Sequence, residues 1–226
     1  MVLKFSKQQF DTFEAQAAYD WDRATANELL ELYSVHMSAL DVTPRMLTSF
    51  VRTVRDYAQA YQITGKRETF KLAVIGVTLG AHFPHDPRLR QMIDASLGQT
   101  TIPQSRRVEL FCSGVSTSLG AHWKDEGLDA KGARLIAYLS RTPALEDLFP
   151  NMTGRQRAFL DACMSHADGY SLRAPRRRQA YFGAALIHGI YWFDNPVMYT
   201  LRRIIETSET DDLMLNQISE FYSGFA

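Results

Sequence analysis

Cysteine is scarce in this sequence: Cys112 and Cys163 are the only two in 226 residues, each inside an apolar helical pattern. Two thiols cannot build a cysteine zinc site, and their placement suits buried, reduced thiols better than a disulfide scaffold. Net charge is lacking as well. With 25 basic and 25 acidic residues the chain is formally neutral, so nothing at whole-chain level favours nucleic acid or an anionic membrane surface. The most apolar stretch runs from Phe70 to Phe83. Lys66, Arg67, Glu68 and Lys71 bound it on one side and His82, His85 and Asp86 on the other, which leaves too little for a bilayer of roughly 30 Å. After Lys4 and Lys7 the opening MVLKFSKQQFDTF shows neither an apolar run nor a small-residue cleavage site, so a cytoplasmic protein is expected.

Catalytic signatures are missing too. There is no GxSxG elbow, no phosphate-cradling loop, and no HExxH or paired ExxH pattern, so neither nucleophilic nor metal chemistry has a recognisable frame. His82, His85 and Asp86, with His122 and His188 elsewhere, are residue types that bind zinc or a two-metal centre. They sit beside Pro84, where a helix is ending, and need not share a face. The expectation is that His85 and Asp86 satisfy helix-end groups in a tight turn while His82 packs at the core edge. No catalytic residue, cofactor or metal is therefore expected; the competing enzyme reading is a metal-dependent hydrolase using His82, His85 and Asp86.

What the sequence does have is helical periodicity. Ser6 followed by Gln9 fits a capping box ahead of Phe10, Phe13, Ala17 and Tyr19 to Trp21, a stripe that resumes at Leu29 and is one long helix or two with a break near Asp20 to Asp22. Thr43 before Pro44 is a helix start, with Met46, Leu47, Phe50, Val51, Val54, Tyr57 and Ala58 at three-and-four spacing behind it. Phe70 to Phe83, capped by Thr64, leaves no polar face and is expected to be the central, enclosed helix, with Gly76, Gly80 and Ala81 as notches where other helices cross. Further helices are expected over Arg88 to Leu97, from Pro103, over Asp129 to Ser140, Pro143 to Leu148, Gly154 to His166 and Gln179 to Trp192, then from Pro196 and from Thr210 or Asp211. No segment alternates with period two, so the class is all-α: a compact bundle of about ten helices in a single domain, 1–226.

Two similar helical halves, 1–100 and 101–226, are suggested by an internal echo. Tyr61, Arg67, Gly80 and Pro87 recur at the spacing of Tyr170, Arg176, Gly189 and Pro196, and each set frames an apolar helix ending in an aromatic turn. A duplication would explain it. A different echo, TLGAHF at Thr78 to Phe83 against SLGAHW at Ser118 to Trp123, has another shift.

Local charge is patterned although the total is zero. Arg173, Arg176, Arg177 and Arg178 precede the second apolar helix, and Glu206, Glu209, Asp211 and Asp212 follow the next one. They read either as solvated ends that neutralise each other or as a basic patch for an acidic protein partner; RNA fits less well because aromatic interleaving is poor. Tyr191, Trp192 and Phe193, with Tyr222 and Phe225, are candidate interface anchors whose other reading is core packing.

The run Tyr57 to Ile93 carries YQIT at Tyr61 to Thr64, Arg67-Glu68, and LGAHFPHDP at Leu79 to Pro87. It resembles the core of a bacterial family with a Tyr-Gly-Ile, Thr-Glu, Phe-Gly, Phe, Asp-Asp-Pro-like succession, and Phe5 to Phe13 resembles that family's start. Gln62 stands where the family has Gly, and the chain after Pro103 is not matched. Family members are similar to proteins encoded beside effectors and adaptor or chaperone genes of type VI secretion systems. The resemblance implies a non-catalytic accessory chaperone or adaptor that helps load a secretion effector, with that effector or another adaptor as partner and no nucleic acid or membrane. The rival it leaves open is a cytosolic immunity protein that neutralises the effector.

Overall fold

A computed structural model describes residues 6–123, 137 and 154–224. Among them are ten α-helices and no strand: α1 (Lys7–Leu32), α2 (Ser34–Ala39), α3 (Pro44–Ala60), α4 (Lys66–Leu79), α5 (Arg90–Asp94), α6 (Gln104–Trp123), α7 (Gly154–Gly169), α8 (Pro175–His188), α9 (Tyr199–Thr207) and α10 (Asp211–Ser223). The chain is all-α, as its periodicity demands. No helix among the described residues is long and apolar enough to cross a membrane. The helices expected over Asp129 to Ser140 and Pro143 to Leu148 lie outside the described residues, apart from Ala137.

Local chemistry sets the starts. Ser6 Oγ accepts from Gln9 N at 3.2 Å while Ser6 N donates to Gln9 Oε1 at 2.8 Å, the reciprocal box that opens α1. α1 then runs unbroken past Asp20 to Asp22. Thr43 caps α3 through Met46 N, with Pro44 at the first helical position, and Thr210 caps α10 through Leu213 N. Pro196 opens a 3₁₀ turn to Met198 before α9 begins at Tyr199.

The halves are one helical unit used twice, at an offset of 109 residues from Gly80 to Gly189. α4 and α8 correspond end for end, as do the 3₁₀ turns Phe83–His85 and Trp192–Asp194. The backbone agrees in detail. Gln62 and Ser171 take φ of 55° and 57°; Gly80 and Gly189 take φ, ψ of 88°, 154° and 90°, 162°. Asp86 Oδ1 accepts from Arg88 N and Asn195 Oδ1 from Val197 N, at 2.9 and 3.3 Å. α6 packs on α4 and α5.

The units meet reciprocally at their two glycines. A Cβ on Gly80 would stand 3.0 Å from His188 O, and one on Gly189 3.0 Å from Leu79 O. Each helix end therefore sits against the backbone of its counterpart, the signature of a local two-fold. Gly76 is a true crossing notch, since its Cβ would lie 3.1 Å from Phe50 Cζ and 3.2 Å from Val54 Cγ2 on α3.

The enclosed helix is α8, not α4. Gln179 through Ala185 are all buried on α8, whereas Val74, Ile75, Val77 and Leu79 of α4 are only half-buried. Ala180, Gly183, Ala184 and Ala185 are small and buried along this run, while Leu186 near the helix end is exposed. The bulkier α4 packs on α3 and α6 and keeps a partly open face.

Candidate functional site

The sequence-level candidates fall in three places. Around the junction of the two units, His82, His85 and Tyr191 gather with Tyr57, His166, Tyr170, Tyr181 and Asp194. Tyr57 and His166 are equivalent under the internal repeat, and so are His82 and Tyr191; the tyrosine–histidine pair is thus present in both units with its members exchanged. Tyr57 Oη lies 2.9 Å from His82 Nδ1, and the ring of His166 meets that of Tyr191 edge-on at 4.8 Å. His85 is exposed and rests its ring against Tyr57 and Tyr191, at 5.0 and 5.8 Å.

Asp194 ties the cluster together. Its carboxylate takes His166 Nε2 at 2.8 Å and the Tyr170 hydroxyl, while its main-chain carbonyl lies 3.4 Å from His82 Nε2. Burial raises the Asp194 carboxyl, but the His166 hydrogen bond and the charges of His166, His82 and Arg202 more than offset it and hold it below the ordinary value. His82 is pushed the other way from protonation: burial lowers it, and the Asp194 carbonyl only partly restores it. A neutral His82 accepting from Tyr57 at Nδ1 and donating from Nε2 fits that shift. Asp194→Asn should cost about 1.5–3 kcal/mol near neutral pH, the usual worth of hydrogen bonds to a charged group. A carboxylate held low in the fold contributes fully above 3.8 and loses that contribution as pH falls through its folded value. Urea unfolding at a series of pH values should therefore show the gap between wild type and Asp194→Asn closing in acid.

These contacts give His82, His166 and Asp194 partners from within the fold, while His85 stays exposed. Asp86 is 4% exposed and held by Arg88 in a paired grip, Nε to Oδ1 at 3.0 Å and Nη2 to Oδ2 at 2.7 Å. Among the described residues no three His, Cys, Asp or Glu side chains converge to hold a metal ion. The cysteines are not activated: burial pushes Cys163 up to about 12 and also raises Cys112, the opposite of a nucleophilic thiolate. His188 is buried against Tyr222, Nε2 to Oη 2.8 Å. His122 lies where no side chain is described.

The arginine patch and its neighbouring aromatics do not assemble into one surface. Trp192 and Phe193 are in the core, 0% and 1% exposed, because the aromatic turn folds back under α8. Tyr222 is buried too; Phe225 lies outside the described residues. Arg177 turns inward and donates to the carbonyls of Ile205 at 2.8 Å and Ser208 at 2.6 Å, capping the C-terminal end of α9. Arg178 pairs with Asp168 at 2.5 Å. Arg173 is exposed, and Arg176 and Tyr191 are half-buried.

A third place went unseen in the sequence. Between α1, α3 and the start of α4 lies an open groove of about 220 Å³, floored by Ala17, Ala18, Trp21 and Ile63 and rimmed by Arg55 and Lys66. α1 is anchored beside it by Asp22, fully buried and 3.4 and 3.6 Å from the Arg55 and Arg52 guanidinia. Burial raises the Asp22 carboxyl, and the two arginines offset only part of that. On the N-terminal side of the groove every residue from Lys7 to Ala17 is exposed, with Phe10 at 55% and Phe13 at 56%. Phe10, Phe13, Ala17 and Trp21 follow i, i+3, i+7, i+11, so one apolar stripe leads along α1 into the groove. The stripe was visible as periodicity; that half of it faces outward was not.

Comparisons with known protein families, curated proteins and solved structures find no match to this chain.

Proposed function

We propose that this chain is a non-catalytic protein-binding factor that engages its partner through the exposed face of α1 and the groove into which that face runs. The observation that carries the reading is the continuous stripe Phe10, Phe13, Ala17, Trp21, with its outer phenylalanines more than half exposed. Apolar surface that extends without a break into an apolar groove is what protein interfaces use, and aromatic side chains are their commonest anchors. Inactive thiols and a histidine cluster occupied by its own tyrosines and aspartate support a role without catalysis.

The class of partner comes from the resemblance of Tyr57 to Ile93 to proteins encoded beside type VI secretion effectors. It makes the partner a secretion effector or another adaptor, met in the cytoplasm, and the role that of an accessory chaperone or adaptor in loading. The test is co-purification from the native host with the wild type and with Phe10→Asp plus Phe13→Asp. Both positions are more than half exposed, and the variant should lose the partner while circular dichroism still shows wild-type helicity. Deleting the gene should abolish effector delivery and leave the cell healthy; a deletion strain killed by its siblings would mark an immunity protein instead. Recovery of no secretion component, with delivery and competition unchanged, would sink the reading.

A further inference from the structure

Asp194 takes one histidine from each half of the molecule. His166, on α7 of the second unit, reaches its carboxylate through Nε2 at 2.8 Å, and His82, of the first unit, lies with Nε2 3.4 Å from its main-chain carbonyl. Tyr191 stands among the histidines, its ring 4.8 Å from that of His166, 6.2 Å from that of His82 and 5.8 Å from that of His85. Three imidazoles thus share one neighbourhood with one carboxylate.

The hydrogen bonds fix where the protons are. The Tyr181 hydroxyl has a single hydrogen and gives it to Ile190 O at 2.5 Å, so its oxygen, 2.6 Å from His166 Nδ1, can only accept from the ring. An ionised carboxylate can only accept as well. Both nitrogens of His166 must then donate, which makes the ring an imidazolium paired with Asp194. The other Asp194 oxygen takes the Tyr170 hydroxyl, and the Arg202 guanidinium lies over the Tyr170 ring, 4.8 Å from its centre. A second imidazolium, on His82, would face Tyr57, Tyr191, His85 and the His166 cation with Asp194 already engaged. Asp86 and His188 line the same small space as His82, but Arg88 grips the first and Tyr222 bonds the second.

We propose that this junction is a one-proton lock: it closes around the single charge of His166, and a second proton, taken by His82 in a mildly acidic medium, parts the two units at their aromatic turns. The inference goes beyond the partner-binding reading and does not rest on it. A charged His82 is drawn toward water and away from His166, and the seat of Gly80 against His188 O, where a Cβ would stand at 3.0 Å, loosens with it. Burial lowers His82 from the ordinary 6.5, the Asp194 carbonyl and charge restore only part, and His85 and His166 lower it further. A histidine held low in the fold contributes its stability fully above 6.5 and loses it as pH falls through the folded value. Asp194, held below 3.8, keeps its charge through that window.

The experiment is NMR on the full chain with nitrogen-15 histidine, combined with amide hydrogen exchange. At neutral pH His166 should show two protonated ring nitrogens and His82 one, on Nε2. His82 should titrate below 6.5. Protection of the Gly80 and Gly189 amides, which bond Gly76 O and Ala185 O, should fall at least roughly tenfold between about pH 7.5 and about pH 5.5 after correction for intrinsic exchange. The buried Val51 on α3 should change far less. His166→Gln removes the resident cation, so His82 should titrate higher and the acid loss should shrink. His82→Gln cannot take the second proton, and its protection should be the same at both pH values. A singly protonated His166 ring at neutral pH overturns the proposal, as does a His82 that titrates at or above 6.5, equal protection at the two pH values in wild type, or an acid loss that persists in His82→Gln. If His82→Gln does not fold, the His82 titration in wild type and in His166→Gln decides, and a titration unmoved by His166→Gln sinks the lock.

Discussion

Gly189→Ala should destabilise the protein by about 2–6 kcal/mol in urea unfolding, and Gly80→Ala by a similar amount, although neither adds more than a methyl group. Two costs combine. At φ near 90° with ψ near 160°, an alanine is forced into a region open essentially to glycine alone, worth roughly 1–3 kcal/mol. The new methyl must also push against a main-chain oxygen 3.0 Å away, Leu79 O at one site and His188 O at the other, and overpacking against backbone that cannot rotate aside typically costs a further 1–3 kcal/mol. The reciprocal geometry makes a sharper claim. Because each methyl would strike the end of the other helix, the first substitution must spread the pair, and the second then finds part of that room already open. The double variant should therefore lose less than the sum of the single losses, by an amount well above the few tenths expected of distant sites. Additive losses would mean that the two helix ends do not share a contact.

The same junction shows what could be read from the residues and what could not. Three caps were legible because they are local: Ser6 with Gln9, Thr43 with Pro44 and Thr210 each satisfy amides within three residues of themselves, whereas Thr64 does not cap α4, whose N-cap is Gly65. The internal repeat was legible at four positions where identical residues stand, one of them a glycine whose positive φ the backbone requires. It was illegible where the repeat exchanges its chemistry, as in Tyr57 for His166 and His82 for Tyr191, since no identity survives there. Burial of helices was misjudged for a related reason. Apolar content on α4 exceeds what its neighbours cover, while α8 becomes the enclosed helix through small side chains that carry little hydrophobic signal. The groove could not be found by pattern at all, because its walls come from α1, α3 and the turn at Ile63 and Thr64, brought together only by the packing of α1 against α3 around buried Asp22.

Trp192→Ala should cost about 3–5 kcal/mol, as removal of a large aromatic from a packed core does, and it separates the two roles the residue's sequence context allows. Its side chain is 0% exposed. The indole lies 5.6 Å from the ring of Tyr181 and 4.7 Å from that of Phe193, and Nε1 donates to Tyr181 O at 3.1 Å. Through Tyr181, whose hydroxyl meets both Ile190 O and His166 Nδ1, the indole supports the turn that carries Asp194. Trp192→Phe keeps most of the buried volume and gives up one hydrogen bond to the Tyr181 carbonyl, so its loss should be nearer about 1–2 kcal/mol, the sum of a smaller cavity and the lost bond. Partner recovery should then follow stability: Trp192→Phe, still folded at working temperature, should capture the partner as wild type does, because the ring touches only the core. A Trp192→Ala protein that unfolds with the wild-type midpoint yet fails to capture the partner would instead place the indole at the interface, and would move the binding surface from α1 to the aromatic turn after α8.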